Sequence, residues 1–594
     1  MSLYFFLMFS HIDYIGLYIF LIADTNTLII VSFVVSIVYL ALVFYISLAL
    51  FQIQESISSY EVYHTNMNYL DWIVIAVYIA FLIGLSAYLS RRQGTMEDYY
   101  LGGRTIPWWA IGVSTMATQL GAISFISAPA FVALKPGGGL KWFGFEFAVP
   151  IAMVFIMIFI IPVIHRTGAI SLYEYLEKRF DASTRSIVSI IFQISRALAT
   201  GVGIYAIGIV LSAILKVPMV PTILVIGFVT IIYDVLGGIK AVIYTDVLQM
   251  LFLTIGIIVC GVAASYLIGD VDSLLAGFDK ERLVIIDMSS HGFGDGENFS
   301  FWALVIGGFF LYVAYYGCDQ SQIQREMSAK NLEEAKKSLM LNGFTRVLIV
   351  AAYLTMGLLI GAFALQSESF MNLIPKDKVD YMVPLFVLNY LPHGLIGFVV
   401  VALIAAFMSS LDSAINSVSA ATMRDIYQRY IKPDGDDRHN FMMSRILTIF
   451  WGVVCTGFAF LVGGISDTVL EAINKVGSLF YGPILAAFIL GILFKKTTAT
   501  AVKLGVVLGV AVNFVLWIGF PGISWLWWNV TGCLSAIIIG YGWSLLSPDY
   551  KIVPADLSYQ AEANSNWKWR YIFLVVYFFL IIGVSYLVEK TWLG

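Results

Sequence analysis

Residues 405–417 read AAFMSSLDSAINS and extend the apolar run GLIGFVVVALIAAF of residues 394–407. A helix that apolar belongs in lipid, yet this one carries Ser409, Ser410, Asp412, Ser413, Asn416 and Ser417 in one short block. At about 3.6 residues per turn, side chains three and four apart share a face. Ser409, Ser413 and Asn416 therefore align, as do Ser410, Ser413 and Ser417, with Asp412 beside Asn416. The result is a stripe of oxygen-bearing side chains on an apolar helix, and oxygen is the ligand that hard cations take.

The composition sets the solvent for the rest. The chain has 594 residues, 60% hydrophobic and 12% charged, with a mean hydropathy of +0.87. Soluble domains carry about 25% charged residues, so this is an integral membrane protein. Its natural unit is the apolar stretch of about 20 residues that crosses a bilayer. The runs are long and lack strand alternation, which predicts an all-α polytopic fold rather than a barrel. A net charge of −4 with scattered cations gives no nucleic-acid footprint. Cys260, Cys318, Cys455 and Cys533 lie far apart and read as small buried hydrophobes. The six histidines form no cluster with metal-ligand spacing. No HExxH, GxSxG or P-loop pattern occurs, so no catalytic residues are assigned and an enzyme is not expected.

From Met67 onward the sequence predicts fourteen apolar spans, among them 70–90, 108–134, 220–236, 244–266, 300–318, 339–365 and 396–427. The longer connections, 267–299 and 366–395, have room for short surface helices. Alternate loops hold 22 Lys and Arg residues on one side against 8 on the other. By the positive-inside rule the richer side is cytoplasmic, in a cell membrane crossed many times. Residues 1–66 are apolar and free of Lys and Arg. They read as an N-terminal extension, either one or two further spans or a start assigned upstream of a functional chain that begins at Met67. Residues 67–107 then hold the first accessory span and a cytoplasmic loop.

Ten spans divide into 108–266 and 300–494 about the external loop 267–299, leaving accessory spans in 495–594. Two sets of five suit an inverted repeat, whose site forms near the bilayer midplane where interrupted helices meet. The first span of the first set, WWAIGVSTMATQLGAISFISAPAF (108–131), carries Thr118, Gln119, Gly121, Ser124 and Pro129. That composition predicts an interruption, which frees carbonyls and is tolerated where they line a cavity. In IYDVLGGIKAVIYTDVLQ (232–249), Asp246 lies about one turn into a span and reads as functional. Asp234 lies nearer the loop and reads as a snorkelling carboxylate.

Together with DYYLGGRTIPWWAIGVS (98–114), GCDQSQIQREMSAKNLEEAKK (317–337), SSLDSAINS (409–417) and ILAAFILGILFKKTT (484–498), these pieces resemble the sodium/solute symporter family. Its sugar-transporting members include the sodium/glucose cotransporters. The resemblance spans about 500 residues in family order. It implies a LeuT-type 5+5 inverted-repeat core of ten helices with about four accessory helices, alternating access, and Na+ as the coupling ion. Carried over residue by residue, the main sodium site takes backbone oxygens of Ala117, Leu120 and Ala406 with the hydroxyls of Ser409 and Ser410. A second sodium position draws on Asp246, Ser409 and Ser413, with Asp412 where the family usually has Ser or Thr. Positions resembling the solute contacts are Gln119, Ser124, Glu146, Tyr312, Tyr315, Arg346 and Asn474. Sugar-transporting members tend to have Gln at Ser124 and Asn at Tyr312. Asn474 and Arg346 replace Gln and Lys, so hexose specificity does not carry over, and Tyr315 matches an aromatic that closes the pocket inward. Arg346 offers a bidentate fork for a carboxylate, against a reading in which it reaches cytoplasmic water.

The expected function is sodium-coupled symport of a small organic solute, of sugar, polyol, monocarboxylate or sialic-acid type. Proton coupling through Asp412 or Asp246 and a solute sensor that moves nothing are the competing readings. The partners implied are the solute and the bilayer, with a homo-oligomer not required.

Overall fold

The computed structural model describes residues 66–91, 93–268, 277–295, 298–376, 378–461, 469–547, 553–560 and 567–593. The expected N-terminal extension therefore lies outside the described residues, which begin at Asn66. The described chain is helical, and among these residues β-pairing is limited to two isolated bridges.

The main helices are α1 (Tyr69–Ser90), α2 (Trp108–Gln119), α3 (Ala122–Ala133), α4 (Leu140–Arg166), α5 (Ala182–Leu215) and α6 (Met219–Ile268). After a long connection come α7 (Ala303–Cys318), α8 (Gln320–Met327), α9 (Leu332–Gln366) and α10 (Leu395–Ala421). The chain continues through α11 (Asp437–Phe458), α12 (Val469–Leu493), α13 (Ala499–Gly519), α14 (Leu526–Leu546) and α15 (Lys568–Leu593). Among the described residues, eleven helices are long and apolar enough to cross a membrane, and α2 with α3 forms one further span bent by 53°. The shorter apolar α7 falls on the expected 300–318, and α6, divided at its kink, covers the expected 220–236 and 244–266.

Two backbone breaks shape the core. At Gly238, α6 takes φ 54° and turns its fifty residues into two spans. A Cβ there would sit 2.6 Å from the Tyr99 carbonyl oxygen, so both the left-handed φ and the contact require glycine. At residues 120–121, Leu120 (φ −83°, ψ 59°) and the extended Gly121 end α2 and start α3. Helix ends are fixed by side-chain caps, as at Asn68, whose side chain accepts from the Leu70 and Asp71 N–H groups. Asp71 reaches back to the Asn68 N–H at 3.0 Å and also accepts from Gly394 and Gly397 N–H, tying α1 to the start of α10.

Burial separates core from periphery. Of the most apolar window of the helix containing α10, 94% is buried, against 22% for α1 and for α15. Helix α10 packs on α6, α5, α1 and α11, and α9 packs on α2 and α3. The polar stripe thus faces protein on every side, where lipid contact would leave its oxygens without partners. All four cysteines are buried and unpaired.

Candidate functional site

The break in the first core helix decides the local chemistry. Ending α2 at Gln119 removes helix donors that the Ala117 and Thr118 carbonyls would otherwise meet. The stripe on α10 answers them: Ser409 Oγ donates to Ala117 O at 3.1 Å and to Ala406 O at 2.9 Å. Ser410 Oγ donates to Thr118 O at 3.0 Å. Gly121 permits the approach, since a Cβ there would stand 2.6 Å from Ser410 Oγ. Of the expected main sodium ligands, Ala117, Ala406 and Ser409 are thus brought together, with Ser410 beside them. Leu120 forms the turn and is buried. Hard cations hold oxygens at about 2.4 Å, which puts neighbouring ligands roughly 3–3.5 Å apart. A cluster of neutral carbonyl and hydroxyl oxygens at these spacings suits Na+ and offers nothing to a soft metal.

One turn along the stripe the site becomes charged. Asp246 Oδ2 accepts from Ser114 Oγ at 2.5 Å and pairs with Arg325 Nη2 at 3.0 Å. Arg325 Nε donates to Ser114 Oγ at 2.7 Å, and its Nη2 also contacts Ser413 Oγ. Asp412 Oδ2 accepts from Tyr233 OH at 2.5 Å and its Oδ1 from Ser413 Oγ at 3.1 Å. The expected second-site residues Asp246, Asp412 and Ser413 therefore converge, but the Arg325 guanidinium lies between Asp246 and Ser413. Arg325 lies outside the expected spans, between 300–318 and 339–365, yet it is 1% exposed. Asp234, read as a snorkelling carboxylate, is also fully buried and accepts from Asn416 Nδ2 at 3.3 Å. The kink at Gly238 explains this, because it carries the helix containing Asp234 back against α10.

Beside the oxygen cluster lies a cavity of about 150 Å³, with Thr118, Gly121 and Ser410 on its wall. Gln119, Ser124, Glu146, Tyr315, Arg346 and Asn474 line it. Tyr312 stands behind them and donates to Glu146 Oε1 at 2.9 Å. Arg346 holds Glu146 bidentately, Nε to Oε2 at 2.6 Å and Nη2 to Oε1 at 3.0 Å. Its Nη1 reaches Tyr316 OH at 3.1 Å, and that hydroxyl contacts Gln119 Oε1. Arg346 is 3% exposed, so it does not reach water. Asn474 Nδ2 donates to Leu470 O at 2.7 Å, and Tyr315 OH accepts from Gln322 Nε2 at 2.8 Å. Arg196 on α5 also lines the cavity and was not predicted. A lone arginine within an apolar span was the signal for it.

A second polar network lies at the Lys- and Arg-rich end. Arg185 Nε donates to Asp425 Oδ1 at 2.7 Å, and Nη1 pairs with Glu177 at 2.7 Å. Arg424 grips both oxygens of Glu174, each at 2.9 Å. Burial pushes the Glu174 carboxyl up, but Arg424, Arg185 and the Ser171 N–H outweigh it and hold the group below its ordinary value. These bonds join the short helix Glu174–Arg179 and α5 to the end of the α10 segment.

The model of the Sodium:solute symporter family matches residues 99–509. The sodium/glucose cotransporter of Vibrio parahaemolyticus is 30% identical over 486 residues, covering 77% of this chain and 87% of that protein. The sodium-coupled monocarboxylate transporter 1 of Xenopus laevis is 28% identical, covering 76% of this chain and 71% of its own. A solved substrate-bound, outward-open structure of a Na+-coupled sialic acid symporter superposes with a TM-score of 0.74. The two are 25% identical, and the match covers 82% of this chain and 100% of that one.

Proposed function

This chain belongs to the sodium:solute symporter family, and from that premise we propose that it imports one small organic solute together with Na+ by alternating access. The observation that carries the reading is the meeting of the α2–α3 break with Ser409 and with Ser410, the latter on the wall of a solute-sized cavity. In this reading Na+ takes the oxygens of Ala117, Leu120, Ala406, Ser409 and Ser410, and so fastens α10 to the broken helix. The solute sits against Gln119, Ser124, Glu146, Tyr315, Arg346 and Asn474, with Tyr312 buttressing Glu146. Each Na+ entering is driven by its gradient and by about 2.3 kcal/mol per 100 mV of membrane potential.

The repeats are assigned to 108–266 and 300–494, with the Lys- and Arg-rich loops in the cytoplasm. In this reading no oligomer is required, and the protein acts as a carrier rather than an enzyme. A second Na+ among Asp246, Asp412 and Ser413 requires Arg325 to leave Ser413. One Na+ per cycle is therefore the stoichiometry favoured.

The test is uptake of labelled glucose, lactate and sialic acid into proteoliposomes of the full chain. An inward Na+ gradient should drive one of them, and replacement by choline should stop it. Uptake that persists in choline with a pH gradient alone would replace Na+ with H+ as the coupling ion.

A further inference from the structure

Helix α8 (Gln320–Met327) has eight residues and lies between the spans α7 and α9, packed on α2, α9 and α10. Near its end stands Glu326, 1% exposed, a carboxyl that neither the oxygen cluster nor the cavity uses. Its partners are two hydroxyls. Thr115 Oγ1 of α2 lies 3.3 Å from Oε1, and Ser338 Oγ of α9 touches Oε2. Both hydroxyls have another acceptor: Thr115 Oγ1 donates to Ile111 O at 2.8 Å, and Ser338 Oγ to Ala335 O at 2.8 Å. A hydroxyl carries one proton, so each can serve one of its two acceptors. With Ser338 turned to its carbonyl, its Oγ meets Glu326 with a lone pair, and the contact needs a proton on Oε2.

The charges around Glu326 are engaged elsewhere. Arg325, beside it on α8, has its guanidinium on Ser114, Asp246 and Ser413. At the other end of α8, Asp319 caps the first turn and lies 3.6 Å from Arg196, which rests over the Tyr315 ring. On α9, Lys336 lies over the Trp567 and Tyr571 rings, and Lys337 pairs with Glu334. Helix α2 has no charged residue, and α10 brings Asp412, which accepts from Tyr233. On the short helix Met96–Leu101, Glu97 pairs with Arg104 and Asp98 accepts from Thr95. Ionised, Glu326 would be a buried carboxylate with no cation on it, far costlier than a buried neutral acid. Burial pushes its carboxyl up to about 8, with Ser338, Thr115 and Arg325 pulling the other way.

We propose that Glu326 is a proton-binding site, its Oε2–H donating to Ser338 Oγ and so latching α8 onto α9 and α2, and that the proton passes to water when this junction opens. The latch bears on the Na+ cluster from two sides. Thr115 lies two residues before Ala117 on α2, and Arg325 beside Glu326 touches Ser413 on α10. A proton on Glu326 and Na+ at Ala117, Ser409 and Ser410 therefore favour the same placing of α2, and by linkage each tightens the other. The proton site stands without the Na+ symport reading, whereas this linkage rests on it. A proton competing for the Na+ oxygens would do the reverse and loosen Na+ as pH falls.

The test is infrared difference spectroscopy of the purified full chain, titrated from roughly pH 6 to roughly pH 9. Wild type should lose a protonated-carboxyl C=O band with a midpoint near about 8. Glu326→Gln, which keeps a donor to Ser338, should lack that band. Heavy-isotope labelling of the glutamate carboxyl carbons should shift the wild-type band, and this decides the point if Glu326→Gln does not elute as a monodisperse protein. In parallel, the Na+ concentration that half-saturates thermal stabilisation should fall severalfold from the alkaline to the acid end in wild type. In Glu326→Gln it should stay at the acid value throughout. Because the folded carboxyl lies above its ordinary value, its stabilisation is full below the ordinary carboxyl range and is lost as pH rises towards about 8. The wild-type melting temperature should therefore fall with rising pH more steeply than that of Glu326→Gln. No band that Glu326→Gln removes, or none that the label shifts, would overturn the proton site. Na+ binding that weakens on acidification, or that keeps its pH dependence in Glu326→Gln, would overturn the linkage. The band present but no Na+ effect at any pH would overturn the symport reading and leave the proton site standing.

Discussion

The two walls of the cavity are built on opposite principles. The α10 wall offers neutral oxygens, carbonyls of a broken helix met by serine hydroxyls at 2.9–3.1 Å. The α4–α9 wall offers a full charge pair, Glu146 with Arg346, locked at 2.6 and 3.0 Å. Neutral oxygens exchange partners at little cost, because a hydroxyl can turn from a carbonyl to an ion. A buried bidentate pair cannot, since separating it strands two charges. The first wall therefore suits a ligand that comes and goes, and the second suits a fixed frame against which it moves.

That contrast gives the largest expected effects. Removing one partner of the frame, as in Glu146→Gln, should destabilise the folded protein by about 3–5 kcal/mol. The Glu146→Gln, Arg346→Met double variant should recover much of that loss, as read by thermal or denaturant unfolding. A Glu146→Gln protein as stable as wild type would erase the distinction. Gly238→Ala tests the architecture that brings Asp234 and Asp246 to α10. It should lose about 1–2 kcal/mol from the left-handed backbone alone, and more from the clash with Tyr99.

Gly121→Ala probes the α10 wall directly. It should leave the frame's stability nearly unchanged, yet weaken Na+ binding about tenfold, because the new methyl displaces Ser410 Oγ. The smallest effect lies at the Glu174–Arg424 clamp. Because the folded Glu174 carboxyl lies below its ordinary value, its stabilisation is complete above the ordinary carboxyl range. It should be lost, by up to about 1 kcal/mol, as pH falls through the lowered value. Glu174→Gln should flatten that acid limb of a melting-temperature profile.

Much of the α10 wall was legible in the sequence. The stripe Ser409–Ser417 has helical spacing, and Thr118–Gly121 breaks an apolar run, so both signals are local and periodic. The frame was half legible. The resemblance named Glu146 and Arg346, but nothing in one dimension says that they meet. Asp234 was misread, and Arg325 not singled out, because each lies next to a loop in sequence. Burial there is decided by the Gly238 kink and by α8 folding beneath α10, which are tertiary facts. Arg196 carried a signal, a charge inside a span, but its neighbours Asp319 and Tyr315 are more than a hundred residues away.

Equilibrium binding of 22Na+ to the purified full chain tests most directly whether Na+ binds where the broken helix meets α10. Wild-type protein should bind it saturably in the presence of excess choline. Ser409→Ala with Ser410→Ala removes two hydroxyl ligands worth about 1.5–3 kcal/mol each and should weaken binding at least ~100-fold while the protein stays folded. Unchanged 22Na+ affinity in a folded double variant would contradict the account.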